Sequence, residues 1–269
     1  MAWGQAQIDT KKVKLGDFTQ KITKVVLSGN EFFDMALQNE VTLGWRISPY
    51  EFCTMEEFEK HKTDEDFYFL LSVNAQFKKD KIPTIKYLTL VKGGAKAEKG
   101  LSNMLEVVSL PATSAQSPTG REIVFLPALL DIMQKYTLLS MENDITAYGG
   151  LSTIVQKIEK EDDFLVVISE SDMCPSSYEI EDVEFHDDEI MVTDEERVDS
   201  YMMDRTENVL IGYVVAPTEP VPGAVYYKML INAHTYQLYY FKKDRVSKNE
   251  APGFMPDDIT KIYKAISKE

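Results

Sequence analysis

His186, Asp187, Asp188 and Glu189 form the densest run of potential metal ligands in the chain. They lie in "EFHDDEIMVTDEE", Glu184 to Glu196, within an acidic stretch spanning 179–196. Oxygen donors of this kind suit calcium, and the imidazole admits a transition metal. The stretch lacks the alternating acids and central glycine of a calcium loop. Successive side chains on an extended segment also point to opposite faces, so the four cannot all converge. A solvated acidic surface accounts for the run, with a cation- or ligand-binding segment as the alternative.

Nucleophilic chemistry would need a serine or cysteine held against a base. No G-x-S-x-G elbow occurs, and Cys53 stands beside Thr54 with His61 a short helix away. At the carboxyl end of that helix, His61 would favour the helix dipole, which is a structural task. Cys174 has no histidine near it in sequence. Both cysteines read as small buried side chains, with a single bridge between the two halves as the alternative. "KGGAKAEKG", Lys92 to Gly100, has the glycines of a phosphate cradle but not the Lys-Ser/Thr that ends one. It reads as a flexible basic loop between strands, in which Lys92, Lys96 and Lys99 could meet an acidic partner. None of these patterns implies a cofactor, and none marks the chain as an enzyme.

The stretch "GAVYYKMLINAHTYQLYYFKKDRV", Gly223 to Val246, offers a contact surface instead. Two aromatic-rich strands flank Asn232–Thr235, whose polar side chains bond local backbone at a turn, with Asn232 suited to positive φ. His234 is expected exposed at the tip. Val225, Tyr227, Met229 and Ile231 share one strand face, expected to pack on the closing helix. Tyr226, with either Tyr239 or Tyr240, is expected partly exposed and available to a partner, since tyrosine buries much area while its hydroxyl stays bonded.

The elements that carry these residues occur twice. "KVVLSG" is matched by "LVVISE", both apolar and β-branched. Thr54-Met55-Glu56-Glu57 is matched by Thr193-Asp194-Glu195-Glu196, each with capping-box spacing before a short helix. Then come "FYFLLSV" and "VLIGYVV", "TIKYLTLVKG" and "VYYKMLIN", and "MLEVVSL" and "YQLYYFK". Each half closes on a helix started by proline, Pro127 or Pro256, where the missing N–H has no intrahelical partner to lose. The first half carries an extra helix, "NEFFDMALQNEV"; the second has "SDMCPSSYEIEDVEFHDDE", a long loop or edge strand. The expected fold is α/β (α+β): two similar small domains, each a mixed sheet with a β-hairpin and flanking helices. Internal duplication and independent likeness both account for the agreement. The boundaries fall at 1–19 for a leader remnant or flexible terminus, 20–149 for the first domain and 150–269 for the second.

The second half resembles the amino-terminal domain of the TolB translocation family and the related periplasmic domain of curli-secretion channels. The likeness lies in Ile211-Gly212-Tyr213-Val214 at a strand end and in the turn Asn232-Ala233-His234-Thr235 before a closing helix. Tyr236 stands where that family has a glycine. The resemblance implies protein–protein contact at the bacterial cell envelope.

Composition agrees with a protein partner rather than nucleic acid. The net charge is −15 over 269 residues, and phosphate binding depends on clustered lysine and arginine. No run reaches the roughly 20 apolar residues of a membrane span. Gly4-Gln5-Ala6 puts small residues where a leader would be cleaved, with Gln7 opening the mature chain. The expectation is an exported, periplasmic or secreted, non-catalytic protein. Its rivals are a cytoplasmic location, a binding protein using 179–196, an enzyme with a site between the domains, and a component of a phage or other large assembly.

Overall fold

The computed structural model describes residues 10–77, 81–180 and 189–267. After a short helix α1 (Lys11–Leu15), the first unit runs β1 (Ile22–Val26), α2 (Glu31–Gly44), β2 (Tyr50–Cys53), α3 (Met55–His61), β3 (Phe67–Ala75), β4 (Ile85–Lys92) and β5 (Leu105–Ser114). Helices α4 (Arg121–Val124), α5 (Leu126–Glu142) and α6 (Asp144–Gly149) follow. The second unit runs β6 (Leu165–Ser169), β7 (Ile190–Thr193), α7 (Glu195–Met203), β8 (Val209–Val215), β9 (Val225–Asn232), β10 (Leu238–Arg245) and α8 (Pro256–Ile266).

The two sheets have the same plan. The first is ordered β2-β1-β3-β4-β5, and the second, read from its other end, β7-β6-β8-β9-β10. In each, the first strand pairs in parallel with the second and third, and the last two join antiparallel. This is the expected α/β architecture of two similar mixed-sheet units.

Local chemistry explains the helix starts. Thr54 accepts from the Glu57 N–H at 3.2 Å while Glu57 accepts from the Thr54 N–H at 2.8 Å, closing the capping box. In the second unit the cap moves one residue on. Asp194, not Thr193, accepts from the Arg197 N–H at 2.8 Å, because Thr193 remains the last residue of β7. Where the first unit has α2, the described residues of the second form two short 3-10 helices, Glu170–Asp172 and Pro175–Glu179.

One core joins both units, and α5 is its centre. Leu126, Leu129, Leu130, Ile132, Met133 and Tyr136 are all buried, as on a helix covered from several sides. One continuous cluster takes in Val25, Leu70 and Leu90 of the first sheet and Val167, Ile211 and Met229 of the second. Phe125 stacks on Tyr213 across this joint, with centroids 3.9 Å apart. The expected face of β9 is therefore reassigned. Val225, Tyr227, Met229 and Ile231 belong to the shared core, while α8 lies on the opposite face against Val166, Ile168, Leu210 and Leu230. Every residue of β9 is buried, so its apolar alternation carries no sign of which helix it meets.

Candidate functional site

Among the described residues, one face of the first sheet is incompletely covered. Phe58 of α3 meets Phe69 edge-on at 5.0 Å, and Ala97 and Met104, from the turns before β5, cover the same face beside it. Towards β4 and β5 the cover ends, and a cleft of about 770 Å³ opens. Val73, Tyr87, Thr89, Val91 and Ser109 line it from the sheet. The β9–β10 hairpin of the other unit adds Tyr227, Phe241 and Lys243, and α1, α5 and α6 add Lys11, Tyr136 and Tyr148.

The polar groups in this cleft are held in place. Tyr87 donates to the Tyr227 hydroxyl at 2.7 Å, with the two rings edge to face at 5.9 Å. The Thr89 and Ser109 hydroxyls meet at 3.1 Å. Lys11 Nζ donates to the Val107 carbonyl at 3.0 Å, and its backbone N–H donates to the Tyr148 hydroxyl at 2.9 Å. Lys243 Nζ sits 5.2 Å from the Phe77 ring centre and 5.6 Å from that of Tyr227, a cation–π arrangement. Among the described residues, neither Lys11 nor Lys243 has a carboxylate within the 4.0 Å of an ion pair. Burial lowers the Lys11 pKa, with Glu106 partly offsetting it. Burial, and then Tyr227, drives the Tyr87 phenol upward.

Matching the two units position by position shows why this face is unusual. Val25 aligns with Leu70 in the first sheet and Val166 with Leu210 in the second. The next residues along, Leu71 and Ile211, pair with Thr89 and Ile231 respectively. Thr89 and Ile231 in turn face Ser109 and Leu238 on the following strand. The hydroxyl pair of the cleft thus occupies the positions of a buried Ile–Leu pair in the shared core. In the second unit this face belongs to the core shared with α5 residues; in the first it opens on the cleft.

The residues singled out in the sequence lie elsewhere. Tyr226 is only 3% exposed, on the same side of β9 as Lys228 and packed with Ala224 and Val246, so it presents no ring to a partner. Tyr239 and Tyr240 are half-buried in the same layer: Tyr239 meets Phe164 at 5.1 Å, and Tyr240 donates to Asp258 at 2.6 Å. His234 is exposed at the turn, where its carbonyl accepts from Arg205 at 2.6 Å. Asn232 accepts from the N–H groups of His234 and Thr235, but the positive φ belongs to Tyr236, at 57°. His186, Asp187 and Asp188 lie outside the described residues. Glu189 is half-buried, and its carbonyl accepts from the Val166 N–H at 2.8 Å.

Lys92 is drawn into an ion pair with Asp17 at 2.8 Å, while Lys96 and Lys99 are exposed beside it. Cys53 is buried, and that burial pushes its thiol up to about 11. His61 instead packs edge-on against Phe67 at 5.7 Å. Cys53 and Cys174 are both free thiols. The cleft residues Tyr87, Thr89 and Ser109 escaped sequence reasoning. Their available signal was the hydroxyl in "TIKYLTLVKG" at the register of an aliphatic residue in "VYYKMLIN".

Two buried ion clusters are consumed by the architecture. Beneath α8, Lys228 Nζ is bonded to Asp258 and lies 2.7 Å from Asp244. Burial opposes ionisation of Asp258, yet donors from Lys228, Tyr240, the Met255 N–H and Lys242 hold it down to about 2. At the joint between units, Arg121 reaches Asp172 at 2.9 Å and Asp199 at 3.0 Å. Burial nevertheless pushes Asp172 up to about 6, against the pull of Arg121. Among the described residues no group of three or more His, Cys, Asp or Glu side chains is arranged to hold a metal ion, and no helix is long and apolar enough to cross a membrane.

No family model matches the chain, and no curated protein or solved structure matches it either.

Proposed function

We propose that this is a non-catalytic contact protein that seats a protein partner in the cleft of its first sheet. The observation that carries this reading is the exchange of a core Ile231–Leu238 pair for the Thr89–Ser109 hydroxyl pair at matched positions. A face built to be buried permanently is apolar, whereas a face that opens and closes against a partner keeps polar groups satisfied in both states. The aromatic lining supports the same reading, since tyrosine and phenylalanine dominate the buried centres of protein interfaces. The most perturbed acids, Asp258 and Asp172, are already bonded within the fold. The Cys53 thiol, raised to about 11, is a poor nucleophile. Likeness of the second half to translocation-family domains supports a role at the bacterial cell envelope.

Photo-crosslinking in the native host tests the contact. A photoreactive residue at Tyr148, which is 68% exposed at the cleft, is expected to give a discrete protein adduct. The same residue at Met203, 63% exposed and away from the cleft lining, is expected to give none. Equal labelling at both positions, or none at Tyr148, would reject the reading. Fractionation of the same cells tests location: recovery solely from the cytoplasm would remove the envelope role.

A further inference from the structure

The charge of the cleft and its surroundings names the chemistry of the partner. The chain as a whole carries −15. Against that background the cleft lining holds Lys11 and Lys243 and one acid, Glu106. The lining also extends past Met104 into a second hollow of about 550 Å³, where Lys14, Lys92 and Lys96 face a single acid, Glu65. Met104 lines both hollows, so the two lie side by side. Among the described residues the two linings together carry five lysines and two glutamates, a net charge of +3 within an acidic protein. Lys92 is already neutralised by Asp17, but Lys243 lies over the Phe77 and Tyr227 rings and, among the described residues, has no ion-pair partner. A cation held over rings without a carboxylate retains its demand for an anion.

Three backbone donors around the second hollow are already used within the fold. The N–H groups of Gly93, Gly94 and Ala97 are bonded to Phe67, Lys62 and Gly94 carbonyls. Side-chain ammonium groups are thus left as the recognition elements, which suits dispersed carboxylates better than a single phosphate. The apolar and aromatic lining of the main cleft calls for hydrophobic side chains between those acids. A second copy of this chain is a poor occupant. The helix that shares a core with the matched face within the chain, α5, is buried on many sides, whereas α8, its counterpart, shows Asp257, Lys261 and Lys264 on an amphipathic surface.

We propose that the cleft and the hollow beside Gly93–Gly94 form one track that binds an extended acidic segment of a different protein, with its carboxylates on Lys11, Lys243, Lys14 and Lys96 and its apolar side chains against Tyr87, Tyr227 and Phe241. This rests on the cleft being the contact site, and it adds the class of partner.

Fluorescence anisotropy on the full chain tests it, using a labelled peptide that alternates Glu with Val. A Lys–Val peptide and a single-stranded oligothymidine serve as controls. The Glu–Val peptide is expected to bind saturably and more weakly as salt rises, and both controls are expected not to bind. Lys243→Glu is expected to weaken binding about tenfold or more, and Lys96→Glu by a smaller factor. Lys264→Glu on α8 is expected to leave binding unchanged, and thermal melts confirm that each variant is folded. No saturable binding of the acidic peptide, equal binding of oligothymidine, or indifference to Lys243→Glu would each overturn the acidic class. If crosslinking at Tyr148 then still yields a protein adduct, the contact site stands and only the partner chemistry falls. If crosslinking fails as well, the cleft itself is not the site.

Discussion

The two halves of this molecule use the same five-stranded sheet and finish the matched face in opposite ways. In the second, Ile231 and Leu238 are buried within the shared core. In the first, Thr89 and Ser109 occupy those positions and look into a cleft. The units are stacked head to tail: the α5 side of the first sheet meets the α7 side of the second. Such a heterologous arrangement leaves the equivalent side of the first unit unmatched. The difference teaches that what a repeated unit does depends on where it falls in the stack. The inner copy spends the face on stability, and the proposed function has the outer copy keep it for contact.

Exchanging the residue types breaks that comparison from the stable side first. Ile231→Thr puts a hydroxyl into the shared core without a partner and removes packed carbon, and is expected to cost about 2–4 kcal/mol. Urea unfolding measures it, and a loss below roughly 0.5 kcal/mol would show that this face is not core.

The charged groups extend the comparison. Asp172, at the joint, and Asp258, inside the second unit, are shifted in opposite directions, to about 6 and about 2. Asp172 lies above the ordinary carboxylate value of 3.8. Its contribution to stability is therefore fully present below that value and is lost as pH rises towards 6. Asp258 lies below it, so its contribution is present above about 4 and is lost as pH falls towards 2. Relative to wild type, Asp172→Asn is expected to gain on the order of 2–3 kcal/mol between pH 4 and pH 7, at about 1.4 kcal/mol per unit. Denaturation of both proteins across that range checks the slope; a flat or reversed difference would contradict it.

The smallest effect comes from the opposite exchange. Thr89→Val with Ser109→Ala removes the hydroxyl pair together, which for paired polar groups is close to neutral, within about 1 kcal/mol. Partner crosslinking through Tyr148 is nonetheless expected to fall. Loss of stability comparable to Ile231→Thr would mean that the cleft floor behaves as core after all.

The repeated order of elements was legible because each carries a local signature. Thr54 and Glu57 cap one helix, Pro127 and Pro256 begin the closing pair, and apolar runs of strand length recur in sequence. The capping residue of α7 was misjudged by one position, since β7 runs on to Thr193 and claims it for the sheet. Tyr226 was misplaced for a larger reason. Its alternation with Tyr227 marks two faces, but both are buried, one under α8 and one in the joint. Period-two patterning tells the faces of a strand apart without telling what covers them.

By itself, then, the chain's order of residues determined the elements, their caps, their twofold recurrence and the acidic surface, because these depend on near neighbours and on composition. Tertiary packing settled that α5 shares one core with both sheets, that Arg121 joins the units, and that among the described residues one sheet face stays open. Those outcomes turn on contacts between residues distant in sequence, from 51 positions for Arg121 with Asp172 to 140 for Tyr87 with Tyr227, and no local pattern encodes which surface such a contact will close.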